Sequence, residues 1–100
     1  MSQEEIISKV REAVESDPNK DYIQSIYLFG SFLHGDATDK SDVDLMVDLR
    51  KSLGYFTLMA IQNHFEDVLE KPVDLTTKNG LSKYIREDVV KEAKKIYQNE

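Results

Sequence analysis

Two aspartates stand two residues apart in Ser41-Asp42-Val43-Asp44-Leu45, at the mouth of an apolar run that follows a turn-rich polar stretch. Side chains of a strand alternate with a period of two, so Asp42 and Asp44 are expected on one face and Val43, Leu45 and Val47 on the other. Two anions held side by side repel. A carboxylate pair is also the oxygen-rich donor set that a hard divalent cation such as Mg²⁺ selects, with substrate phosphates and water completing its octahedron. Upstream, the apolar run Ile26-Tyr27-Leu28-Phe29 stops at Gly30-Ser31. A strand ending in Gly-Ser lets backbone approach a ligand closely, and a helix starting there presents free N–H groups to an anion. The chemistry these residues suggest is a phosphate cradle beside a metal pair.

Two competing motifs fail. Gly30 to Gly35 has the spacing of a P-loop, but Asp36-Ala37 stands where Lys-Ser/Thr is required and would repel a phosphate. The acids from Asp36 to Asp44 hint at a calcium loop, yet neither Asp36 nor Asp42 as first position places Gly at the sixth.

Elements must hold the two halves together. Ser2-Gln3-Glu4-Glu5 is a capping box, and Ile6, Ile7, Val10, Ala13 and Val14 follow at helical spacing, which predicts a helix from about residue 3 to 15. Asp17-Pro18-Asn19 ends it. Residues 22–29 read as a first strand, 31–35 as a short helical turn capped by Ser31, 36–40 as a loop and 43–49 as a second strand returning antiparallel beside the first. Leu53, Phe56, Met59 or Ala60, Phe65, Val68 and Leu69 mark a helix over 53–69. Val73-Asp74-Leu75-Thr76 follows as a third strand, parallel to the second through a right-handed crossover. Leu81, Tyr84, Ile85, Val89, Ala93, Ile96 and Tyr97 predict a last helical region with a break near Arg86-Glu87. The expected fold class is α/β (α+β): a small mixed sheet of about three strands flanked by helices, residues 1–100 forming one domain.

Asp74 is the third acid of interest. It lies among apolar residues of an expected interior strand, where an uncompensated carboxylate would cost several kcal/mol of desolvation. Of the remaining polar residues, His34 is as well explained by an exposed loop as by a ligand. His64 reads as structural or exposed, and Lys78 and Arg86 as surface cations in preference to triphosphate contacts.

Composition narrows the function. One hundred residues, 40% of them hydrophobic, make one core with little room for a substrate domain, which argues against a templated polymerase. Zero cysteines exclude disulfides, thiol nucleophiles and zinc–thiolate sites. The apolar runs fall far short of a membrane span, and no signal-peptide pattern opens the chain, so a cytoplasmic protein is expected. A net charge of -6 argues against extensive direct binding of nucleic acid.

Taken together, Gly30-Ser31, Gly35 and Ser41-Asp42-x-Asp44-Leu45 resemble the signature of nucleotidyltransferases of the DNA polymerase beta type. In so short a chain the match is most similar to the minimal nucleotidyltransferases, commonly the antitoxin half of HEPN-MNT toxin–antitoxin modules. The resemblance covers roughly residues 23 to 97. It implies Mg²⁺-dependent transfer of AMP, or another NMP, from an NTP such as ATP to a hydroxyl. That hydroxyl would be a tyrosine of a partner HEPN toxin. Asp42, Asp44 and Asp74 would be the catalytic and metal-binding acids serving two Mg²⁺ ions, Asp74 acting on the incoming hydroxyl, while Gly30 and Ser31 bind the nucleotide phosphates. The resemblance also leaves a second reading, an inactive antitoxin that neutralises its partner by binding alone. Members often carry Arg where this chain has His34, just before Gly35.

Overall fold

A capping box starts the chain's first helix. In the computed structural model, which describes residues 1–99 without the side chains of Lys83 and Ile85, the Ser2 hydroxyl accepts the Glu5 N–H and the Glu5 carboxylate accepts the Ser2 N–H, both at 3.2 Å. Helix α1 (Gln3–Glu15) buries Ile6, Val10, Ala13 and Val14 along one stripe. It ends at Ser16, whose hydroxyl donates to the Glu12 carbonyl at 2.9 Å. The turn beyond it is organised by the buried Asp17, whose Oδ1 accepts the Asn19 N–H at 2.7 Å.

Strand β1 (Ile23–Phe29) runs into the single-turn helix α2 (Ser31–His34), and strand β2 (Val43–Leu49) returns antiparallel beside β1. The register sets Leu28 opposite Leu45 and Phe29 opposite Asp44. Helix α3 (Tyr55–Leu69) then carries the chain to strand β3 (Val73–Thr77), which lies parallel to β2 with Asp44 beside Asp74. Helix α4 (Lys83–Glu92) leads to strand β4 (Lys94–Gln98), antiparallel to β1. The sheet order is β3-β2-β1-β4.

The hydrophobic core lies between one sheet face and the layer formed by α1 and α3. Ile26 and Leu28 of β1 and Val43, Leu45 and Val47 of β2 meet Ile6, Val10 and Val14 of α1 and Ile61, Phe65 and Leu69 of α3 there. Each such side chain contributes roughly 1.5–3 kcal/mol of hydrophobic free energy on burial. The alternate residues, Tyr27, Asp44 and Asp74 among them, belong to the opposite face.

Three expectations change. The last helical region stops at Glu92, and Lys94–Gln98 is a fourth strand: Ile and Tyr favour a pleated, half-buried surface, and pairing along the free side of β1 outweighs the helical spacing of Val89, Ala93, Ile96 and Tyr97. Ile85, expected on that stripe, lies outside the described side chains. Helix α3 starts at Tyr55 and buries Ile61, Phe65 and Leu69, whose spacing of four leaves Phe56 on the far side, 88% exposed. Strand β3 stands at the end of the order β3-β2-β1-β4 and is an edge strand, and Asp74 is exposed and not interior.

Candidate active site

The end of β1, the start of β2 and the start of β3 meet at one rim of the sheet. Gly30 sits there with φ 74° and ψ -152°, a backbone conformation open to glycine and closed to nearly every other residue. A β-carbon on Gly30 would overlap Oδ2 of Asp44 and stand 3.0 Å from its Cγ. The bare Cα is therefore the floor on which the Asp44 carboxylate rests. Gly30, and not Ser31, is the residue preceding α2, so the expected Ser31 cap is not formed; among the described residues the Ser31 hydroxyl has no hydrogen-bond partner. Both remain at the place where backbone and hydroxyl donors can face an anion.

Local hydrogen bonds place Asp42 just ahead of β2. Ser41 closes a turn on Thr38, its hydroxyl accepting the Thr38 N–H at 2.8 Å and its own N–H donating to the Thr38 carbonyl at 3.0 Å. The Val43 N–H then donates to the Pro72 carbonyl at 2.9 Å, docking the first residue of β2 on the entrance to β3. Asp42 is exposed, and Asp44 is half-buried.

Asp74 is positioned from outside the sheet. The residues on either side of it, Val73 and Leu75, turn their N–H groups away from β2 and donate them to Glu66 Oε2 at 2.9 Å and Gln62 Oε1 at 3.1 Å. Sequence reasoning missed both α3 residues. The available signal was two polar residues one helical turn apart, preceding an edge strand by a short loop.

Electrostatics couple the three acids. Burial raises the Asp44 pKa above its ordinary value, and the charges of Asp74 and Asp42 raise it further. A carboxylate that is partly desolvated beside two others is short of positive charge, and the donor set is all hard oxygen, so the residues fit Mg²⁺. Among the described residues no three His, Cys, Asp or Glu side chains are gathered closely enough to hold a metal by themselves. That suits an ion that takes one or two carboxylates and completes its shell with substrate phosphates and water. Of the sequence-predicted residues, Gly30, Asp44 and Asp74 are brought together, with Ser31 and Asp42 flanking them. His34 turns elsewhere: its Nε2 lies 3.2 Å from Glu92 Oε2 at the end of α4.

Known proteins resemble the chain in sequence and in fold. The chain is 31% identical over 70 residues to the protein adenylyltransferase MntA of Thermococcus cleftensis, an alignment covering 70% of this chain and 71% of that one. A solved structure described as a provisional minimal nucleotidyltransferase superposes with a TM-score of 0.77 at 30% identity, covering 94% of this chain and 95% of the other. The Shewanella oneidensis complex of a tri-AMPylated HEPN toxin with its MNT antitoxin shares the fold, with a TM-score of 0.71 at 22% identity over 97% of this chain and 73% of that one. The sequence profile of the family described as polymerase beta, nucleotidyltransferase matches residues 9–100, and the chain belongs to that family.

Proposed function

We propose that this nucleotidyltransferase moves AMP from ATP to a hydroxyl on a protein, a tyrosine of a HEPN-type toxin, and so acts as its antitoxin. The observation that carries the reading is the register that sets Asp44 against Gly30 and beside Asp74 on one rim. The names carried by the Thermococcus relative and the Shewanella complex support the acceptor class.

Phosphoryl-type transfer asks for positioning and charge neutralisation above all. Gly30 and Ser31 hold the β- and γ-phosphates through backbone N–H groups and the free hydroxyl. Asp74, exposed at the rim, accepts the proton of the attacking hydroxyl as its oxygen bonds to the α-phosphorus and pyrophosphate leaves. Asp42 and Asp44 are the residues that would hold Mg²⁺, with Asp74 as a further ligand. When bound, the ions supply charge neutralisation on the triphosphate and a lower pKa for the hydroxyl.

The binding-only reading has one observation in its favour: His34, where members of the resembled family often carry Arg, lies against Glu92. Co-expression with the product of the adjacent gene, followed by intact-mass measurement, separates the two. One or a few AMP increments on the partner, absent with Asp44→Ala, establish the transferase. A partner that is inhibited yet unmodified establishes binding alone.

A further inference from the structure

Both edges of the sheet are closed to a strand from another protein. At β3, Glu66 and Gln62 occupy the outward N–H groups. At β4 the register shifts between Ile26 and Tyr27, Arg11 Nε donates to the Ile96 carbonyl at 3.2 Å, and Lys94 and Lys95 add charge, all features that discourage edge pairing.

Exposed aromatic side chains gather instead at the end of the sheet away from the carboxylates. Tyr22 precedes β1, and its carbonyl accepts the Arg50 N–H at 2.8 Å just past β2. Tyr55 and Phe56 open α3, 70% and 88% exposed, edge to face with ring centroids 5.9 Å apart. Exposed cations lie at the same end of the sheet: Arg50, Lys51, whose Nζ lies 4.4 Å over the Tyr22 ring, and Lys78, which with Lys51 borders a hollow of about 290 Å³. Asp48 is the one acid lining that hollow. Asp21, beside Tyr22, is a second acid at this end, against the three cations Arg50, Lys51 and Lys78.

We propose that this end docks a folded protein partner offering an apolar socket for Tyr55 and Phe56 and a rim of carboxylates for Arg50, Lys51 and Lys78. The inference rests on the protein-acceptor reading above and deepens it. Aromatic residues and Arg are the side chains on which interface energy concentrates. Three cations are too few for a nucleic-acid track, whose affinity comes from neutralising many phosphates. A second copy would set the same cations against one another. From Asp44 to Leu49, β2 spans about 17 Å, so a partner held here leaves the Gly30–Asp44 rim open. Holding the partner and modifying it are then separable properties.

The test is co-expression with a HEPN-type protein, taken from the neighbouring gene where that gene encodes one, with the amount of partner retained as readout. Phe56→Asp is expected to cut retention at least tenfold with its thermal melt unchanged, and Lys51→Glu/Lys78→Glu to weaken retention in a salt-dependent way. Asp44→Ala is expected to retain the partner fully. Wild-type retention by both the Phe56 and the lysine variants overturns the docking surface while leaving the transferase reading intact. A wild-type chain that retains no partner overturns this inference, and the presence or absence of AMP increments on that partner's mass decides the protein-acceptor reading separately. Should Phe56→Asp fail to fold, the lysine pair decides alone. A concentration-dependent dimer of the isolated chain that Phe56→Asp abolishes assigns the surface to self-association and overturns the proposal.

Discussion

Gly30 and Asp44 constrain each other more tightly than any other pair at the rim. The positive φ of Gly30 and the carboxylate lying on its Cα leave no room for a methyl group. Gly30→Ala is expected to cost about 1–3 kcal/mol through backbone strain and to lower kcat by roughly 100-fold through displacement of Asp44. Urea melts and steady-state transfer rates check the two effects separately; wild-type rates in a folded Gly30→Ala protein would refute the seat. Asp44 also makes stability depend on pH. An acid whose pKa is raised by folding holds its proton more tightly in the folded state, so its stabilising contribution is full below the unfolded pKa and is lost as pH rises through the folded one. In chelator, Asp44→Asn should therefore melt higher than wild type at neutral pH and lose that advantage in acid. Melting temperatures across that range give the result, and equal curves for the two proteins would contradict it.

At the level of elements, what was legible followed local signals. The capping box, the stop at Gly30 and the period-two run from Val43 place α1, β1 and β2 within a residue or two. The chain from Lys94 on was misread because Ile96 and Tyr97 satisfy helical spacing, while their strand state depends on the free side of β1, a tertiary fact. Asp74 looked interior because Val73 and Leu75 flank it, but those two are buried on the core side while Asp74 belongs to the opposite face of an edge strand. Its support by Gln62 and Glu66 is likewise tertiary, one turn of α3 laid along a strand. Gln62→Ala and Glu66→Ala each remove the acceptor from an edge N–H and are expected to cost about 0.5–1.5 kcal/mol. Because Asp74 sits between the two N–H groups, the double variant should also lower kcat more than it raises KM for ATP. Chemical denaturation with paired kinetics reads both, and an unchanged kcat in the folded double variant would leave Asp74 independent of α3.

Over the whole molecule, charge decides how ligands arrive. A protein of net charge -6 with three aspartates at one rim repels the triphosphate it is to hold, and only two residues of that rim, Gly30 and Ser31, are proposed donors to phosphate. ATP alone should therefore bind weakly, and Mg²⁺ alone should find one or two carboxylates and an unfinished shell. Each ligand supplies what the other lacks: the cation removes the repulsion around Asp44, and the phosphates provide the oxygens that the described side chains do not gather. A ligand that binds only the folded state stabilises it by mass action, about 2.7 kcal/mol at one hundred times its dissociation constant, and in a domain of this size each kcal/mol moves the melting temperature by roughly 4–8 °C. Mg²⁺ with ATP is accordingly expected to shift the melt by more than the sum of the separate shifts. Asp44→Asn should abolish the excess, whereas Phe56→Asp, at the far end of β2, should leave it unchanged. Calorimetric or dye-based melts of the three proteins under four ligand conditions are the measurement. A full shift with ATP in chelator, or one that survives Asp44→Asn, would place nucleotide binding away from the Gly30–Asp44 rim.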